Sequence, residues 1–183
     1  HGIRLTDAPT MQCVKEAVGR VRFEIEALLS MGLTNSPMAN ADIRVAGGNF
    51  VTAQPMGVIH GVDLLHTGNV RKIDVSAIKD RLAFNEVVLL SPLGFSPTGE
   101  IFNLTLEDVA TSTAIALDAD KLIFLMDTDG VMDKKGALLR ELTIATAVEV
   151  LNSKRKLPDD VALFLPCAVR ACEAGVARTH LIS

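Results

Sequence analysis

KLIFLMD, from Lys121 to Asp127, is apolar at successive positions rather than alternate ones. An extended run of that kind asks for cover on both faces, which restricts the chain to folds in which helices flank a sheet. EVVLLSPLG, from Glu86 to Gly94, has the same character and empties into a loop rich in Gly and Pro. Helical patterns lie between and around these runs: VSAIKDRLAF, a stretch from about Leu104 to Ala119, TIATAVEVL, and VALFLPCAVRACEAG with Gly175 as its stop. VARTHLIS closes the chain as a strand. The expected fold is α/β, a three-layer αβα arrangement with a mainly parallel sheet.

The first forty residues add a long helix. From Thr6 or Asp7, the positions Met11, Val14, Val18, Val21, Ile25 and Leu28 advance by alternating steps of three and four, and Pro9 suits the first turn. DIRVAGGNFVTAQ then sets two extended runs around Gly47 and Gly48, which predicts an antiparallel β-hairpin beside the parallel strands. VRKID is a further extended run, and NSKRKLPDD is a charged surface connection.

With 183 residues, 49 % of them hydrophobic, there is enough chain to bury one continuous core and not two, so residues 1–183 are expected to form a single domain. The first residue is not Met, and the last strand stops before the next element that alternation would supply, which predicts a partial domain with no second one. A net charge of −4 and the absence of Trp and Tyr remove the basic field and most stacking platforms that nucleic acid requires. No apolar run approaches the roughly 20 residues that span a bilayer, and HGIRLTDAPT is unlike a secretory signal. A cytosolic protein without membrane contact is expected.

Little local chemistry is spelled out. Cys13, Cys167 and Cys172 contain no CxxC pair and read as reduced, mostly buried thiols. His1, His60, His66 and His180 lack ligand spacing, so no metal is expected, and His180 on an apolar strand reads first as a structural histidine. No Walker-type phosphate loop is present, DTDG (127–130) reads as a turn rather than a calcium loop, and QPMG (54–57) continues into a hairpin rather than a helix. At GEIFNLTLEDVATSTAIA (99–116), Thr105 reads as a helix N-cap with Asp108 three residues on, and Glu107 and Asp108 meet the helix dipole. Capping accounts for those three residues. Asn103 is not so explained, and its amide suits a carboxylate or a phosphate.

Several segments together, namely GIRLTD, VKEAVGRVRFEIEALLS, VLLSPLGFSPTGEIFNLTLEDVAT, ADKLIFLMDTDGVMD and AVRACEAGVARTHLIS, resemble the amino-acid-kinase-like domain of bacterial N-acetylglutamate synthases in order, spacing and wording. That resemblance implies the conversion of acetyl-CoA and L-glutamate to N-acetylglutamate and CoA, opening arginine biosynthesis under feedback by L-arginine. It implies that catalysis belongs to a separate GNAT-type domain with acetyl-CoA as co-substrate and no metal. This chain would hold no cofactor and no catalytic residue, and would serve regulation and homo-oligomer assembly.

The alternative is an acetylglutamate kinase. In that related family the arginine of a GLRVT-type motif and the first asparagine of an NxNAD-type motif contact the acetylglutamate carboxylates; they match Arg4 and Asn103. The kinase's second asparagine is Thr105 here, its lysine-organising aspartate is Glu107, and one of its lysines is replaced by Cys167, while Lys135 matches another. One lysine cannot neutralise a transferring phosphoryl group. Arg4, Asn103, Glu107 and Lys135 therefore read as a vestigial acetylglutamate and phosphate site. His180 matches the histidine of a VHLI-type strand near which family members bind arginine, and residues beyond that strand complete the site, so an incomplete arginine site is expected here.

Overall fold

The computed structural model describes residues 4–35, 39–133, 135–153 and 155–183, and divides the chain into two compact units, one ending at Val109 and the other covering Ala110–Ser183. His1, Gly2 and Ile3, part of the GIRLTD stretch, lie outside the described residues, as do Lys134 and Lys154.

The first unit begins with α1 (Ala8–Leu29), capped by Asp7, whose carboxylate accepts the Thr10 N–H at 2.8 Å. There follow β1 (Arg44–Ala46), β2 (Val51–Pro55), the short hairpin β3 (Val58–Ile59) and β4 (Val62–Asp63), then β5 (Gly68–Ile73). The helix α2 (Val75–Ala83) is capped by Asp74, and β6 (Glu86–Val88), β7 (Leu93–Phe95) and β8 (Ile101–Asn103) lead into α3 (Leu106–Ala116), within which the two units divide. A four-stranded sheet has the order β5-β2-β7-β8, with β2 antiparallel to β5 and parallel to β7, and β7 antiparallel to β8.

Two glycines let these strands approach. A Cβ on Gly94 would stand 2.5 Å from Ala53 Cβ and 2.9 Å from Leu104 Cδ1, while one on Gly68 would meet Phe102 Cβ at 2.7 Å and the Gln54 carbonyl at 2.8 Å. Ala53, Phe102 and Leu104 are all buried, so neither clash has room to relax.

The hairpin expected around Gly47 and Gly48 does not form. β1 pairs in parallel with β6 while β2 joins the four-stranded sheet, and neither glycine has a positive φ. The glycines instead bend the chain from one sheet to another. The true hairpin turns at His60 and Gly61, both left-handed at φ 51° and 79°, which suits a two-residue antiparallel turn. The segment rich in Gly and Pro after β6 carries the β7–β8 pair.

In the second unit β9 (Lys121–Leu125), α4 (Ile144–Asn152), α5 (Asp159–Glu173) and β10 (Arg178–Ile182) follow in order. β9 and β10 pair in parallel with Ile123 opposite His180. Leu122 and Phe124 turn inward to pack with Ala114, Ala171 and Val176, and the Phe124 ring stacks on Phe164 at 4.8 Å. A neighbouring cluster joins Met126, Val131, Ala147, Val161 and Leu165. Gly175 at φ 111° ends α5 as the sequence indicates.

Three expectations about burial need correction. β9 is buried on one face only: among the described residues nothing covers Ile123 and Leu125, which stay 52 % and 77 % exposed, since apolar composition does not by itself supply a second layer. The α1 stripe is shallow: Met11 is buried and Val14, Val18 and Ile25 are half-buried, but Val21 and Leu28 are exposed. Of the three thiols, none is fully buried; Cys13 is exposed on α1 away from the Met11 face, and Cys167 and Cys172 are half-buried.

Candidate functional site

In the first unit three segments meet through backbone hydrogen bonds. The His66 N–H donates to the Thr6 carbonyl at 2.9 Å, and the Asn103 N–H donates to the His66 carbonyl at 2.8 Å. Bridges Thr6–Leu65 and Thr67–Asn103 run parallel, so the chain entering α1, the loop before β5 and the end of β8 lie side by side. Leu65 is held left-handed at φ 53°, a conformation that costs a side-chain-bearing residue about 1–2 kcal/mol, and the Asp63 carboxylate supports it by accepting the Leu65 N–H at 3.0 Å.

A polar chain crosses these segments. Asn103 Nδ2 donates to Thr6 Oγ1 at 3.1 Å, the hydroxyls of Thr6 and Thr67 are 2.9 Å apart, and the Thr67 hydroxyl donates to the Arg4 carbonyl at 2.8 Å. A hydroxyl carries one proton, so that of Thr67 is shared between the Arg4 carbonyl and Thr6 Oγ1. Thr6, Thr67 and Asn103 are buried, and each link offsets the desolvation of its neighbours.

Arg4 and Asn103 are therefore brought together through this chain, with the Arg4 side chain exposed and that of Asn103 buried. Asn103 commits one amide hydrogen to Thr6 rather than facing an empty site with both. Two residues outside the sequence reading, Thr6 as a partner and Thr67, fix its orientation. No local signal marks them, since their partners lie 97 and 61 residues apart in sequence.

Thr105 caps α3 as expected, its Oγ1 accepting the Asp108 N–H at 3.3 Å. The Asp108 carboxylate also ties to β5, where it accepts the Val70 N–H at 3.2 Å. Glu107 is half-buried in the first turn.

Lys135 and His180 belong to the second unit. Lys135 sits in a loop ordered by Asp133, whose Oδ1 accepts the Ala137 N–H at 2.8 Å and the Lys135 N–H at 2.7 Å. Those bonds, from Ala137 first and Lys135 next, hold the Asp133 carboxyl below its ordinary pKa. For Asp160, at the start of α5, burial acts to raise the pKa, but the Thr128 amide and hydroxyl, both at 2.9 Å, leave it lowered. His180 is exposed on β10, not a satisfied interior histidine. Among the described residues no three His, Cys, Asp or Glu side chains group closely enough to hold a metal ion.

This architecture has counterparts. The amino acid kinase family matches residues 1–183, and the chain belongs to that family. It is 53 % identical over 181 residues to an amino-acid acetyltransferase of Ralstonia nicotianae, covering 99 % of this chain and 40 % of that protein. A protein of the same name from Azotobacter vinelandii is 51 % identical over 186 residues, covering 100 % of this chain and 42 % of that protein. N-acetylglutamate synthase of Neisseria gonorrhoeae complexed with coenzyme A and L-arginine superposes with a TM-score of 0.90 at 32 % identity, covering 100 % of this chain and 42 % of that one. Its complex with coenzyme A and N-acetyl-glutamate gives 0.87 at 31 % identity, over 100 % and 40 %. The chain thus spans about two fifths of the length of the relatives it matches.

Proposed function

We propose that this polypeptide is the regulatory and assembly part of an amino-acid N-acetyltransferase that makes N-acetyl-L-glutamate from acetyl-CoA and L-glutamate. The observation that carries the reading is an identity of 51–53 % to proteins named amino-acid acetyltransferase, sustained over 99–100 % of this chain. The acetylating chemistry belongs to the part of those relatives that this chain does not span, and acetyl-CoA is its co-substrate there.

Residues 1–183 act as one amino-acid-kinase-like domain that keeps the outline of a kinase site without its chemistry. Arg4, Asn103, Glu107 and Lys135 are the vestige. Asn103 is tied into a structural chain with Thr6, and Thr105 and Glu107 stand where a phosphoryl-transfer site needs an asparagine and an aspartate, which supports that reading. His180 contributes to an arginine site, where its exposure leaves it accessible to an effector. Exposed Val21, Phe23 and Leu28 on α1 support assembly into a homo-oligomer. The working compartment is the cytosol; among the described residues no helix is long and apolar enough to cross a membrane.

The test uses the complete protein. Acetyl-CoA and glutamate should release CoA thiol, arginine should suppress that release, and His180→Ala should weaken the suppression while leaving uninhibited turnover unchanged. Consumption of ATP with acetylglutamate, without acetylation of glutamate, overturns the proposal in favour of a kinase.

A further inference from the structure

The second unit leaves one face of its parallel strand pair open. Side chains alternate along a strand, so the inward turn of Leu122 and Phe124 sends Lys121, Ile123 and Leu125 to the other side of β9. On β10, Arg178, His180 and Ile182 share that outer side, and the register sets them against Lys121, Ile123 and Leu125 in turn. The face is thus basic where the strands begin and apolar where they end. Ile123, Leu125 and Ile182 are 52 %, 77 % and 43 % exposed. Parallel strands are as a rule covered on both sides, so this face calls for a partner.

Its basic end narrows what that partner can be. Lys121 and Arg178 are like charges set directly opposite, which destabilises a strand pair unless an anion lies beside them. Among the described residues neither makes an ion pair, and the face itself carries no Asp or Glu. The exposed stripe of α1 from a second copy does not supply the missing charge, since its Glu24 and Glu26 are already paired with Arg20 at 3.6 Å and Arg22 at 2.7 Å. The dimensions suit a helix. Five residues of strand extend about 17 Å, the length of about three helical turns. A helix about 10 Å wide spans both strands while satisfying its own backbone hydrogen bonds.

We infer that the outer face of β9 and β10 docks an amphipathic helix supplied by the part of the complete protein outside residues 1–183. Its apolar side chains lie over Ile123, Leu125 and Ile182, and its carboxylates stand beside Lys121 and Arg178. The inference rests on the function proposed above only in taking the complete protein to be as long as the relatives, of which this chain spans about two fifths. A segment tethered in the same polypeptide acts at high effective concentration, which favours it over a separate partner. β10 has no further strand beside it among the described residues, so His180 stays reachable from that edge.

The complete protein is the material for the test. Leu125→Cys, with Cys13→Ser, is treated with N-ethylmaleimide, and modification of residue 125 is followed by mass spectrometry beside two exposed reference sites, Ala145→Cys and Lys156→Cys. Residue 125 should react about tenfold or more slowly than the references, although it stands bare here. On the unsubstituted protein a carbodiimide, which joins an ammonium to a carboxylate in contact with it, should link Lys121 to an Asp or Glu outside residues 1–183. Subunit exchange with ¹⁵N-labelled protein shows whether that link lies within one chain or between two. Reaction of residue 125 within about threefold of the references overturns the inference. So does the lack of a Lys121 link beyond residues 1–183, or a link between chains, which would make the partner a second copy. Should Leu125→Cys fail to fold, the carbodiimide result decides alone. Neither readout uses acetylation: a bare face on a protein that acetylates glutamate removes this inference only, and a covered face on one that does not removes only the proposed function.

Discussion

Replacing Thr6 by Val keeps the shape of a buried side chain and removes the hydroxyl at the centre of the polar chain. Thr6 is 1 % exposed, so water cannot substitute for what is lost. Thr67 retains the Arg4 carbonyl at 2.8 Å, but Asn103 Nδ2 loses its acceptor at 3.1 Å. One lost bond contributes about 1 kcal/mol and a stranded buried N–H about 1–3 kcal/mol more, so Thr6→Val should destabilise by about 3 kcal/mol. For a chain of this length that is roughly 6–12 °C in midpoint temperature. Urea unfolding followed by circular dichroism measures it, with an unchanged slope showing that the unfolded state is the same. Thr6→Ser keeps the hydroxyl and loses one methyl, about 1 kcal/mol. Thr6→Val with Asn103→Leu removes both partners, and should cost less than Thr6→Val alone. The reasoning is refuted if Thr6→Val lies within about 0.5 kcal/mol of the parent, or if Thr6→Ser falls as far as Thr6→Val.

Gly94→Ala drives a methyl to 2.5 Å from Ala53 Cβ between paired strands, and should cost about 1–3 kcal/mol by the same unfolding measurement, whereas Gly99→Ala, with open space around it, isolates the backbone effect of a positive φ at 87°. Thr105→Ala removes the cap of α3 and should lose about 1 kcal/mol, with Thr105→Ser close to the parent. Because the Asp133 pKa is lowered on folding, its stabilising effect is complete above the unfolded value of about 4 and is lost as pH falls through the folded one. The stability gap between the parent and Asp133→Asn should accordingly be largest near pH 7 and shrink below pH 4; a gap that widens on acidification would contradict the assignment.

Helices were the most legible part of the chain. The spacing of Met11, Val14, Val18 and Ile25, the cap Thr105, and the stop at Gly175 are local patterns, and the structure realises each of them within about two residues. Strand partners were not legible, because register depends on residues far away. Gly47 and Gly48 looked like a hairpin turn, yet β1 found β6 and β2 found β5, pairings across tens of residues that no short window contains. Composition also over-stated burial: Ile123 and Leu125 are apolar but exposed, because periodicity says which residues could be covered and not whether anything covers them. At the candidate site, Asn103 stood out because capping could not explain it. Thr6 and Thr67 escaped notice, since a threonine whose partner lies 61 or 97 residues away looks like any other threonine.

The crossing of Arg4–Thr6, Leu65–Thr67 and Asn103 also sets a kinetic order. During synthesis Thr6 emerges almost a hundred residues before the amide it will accept, and the loops to be closed are long. Such non-local closure slows folding and prolongs the time in which α1 stands alone with its apolar stripe uncovered. Refolding from urea should thus be slow compared with that of a helical bundle of equal length, and its yield should fall as protein concentration rises.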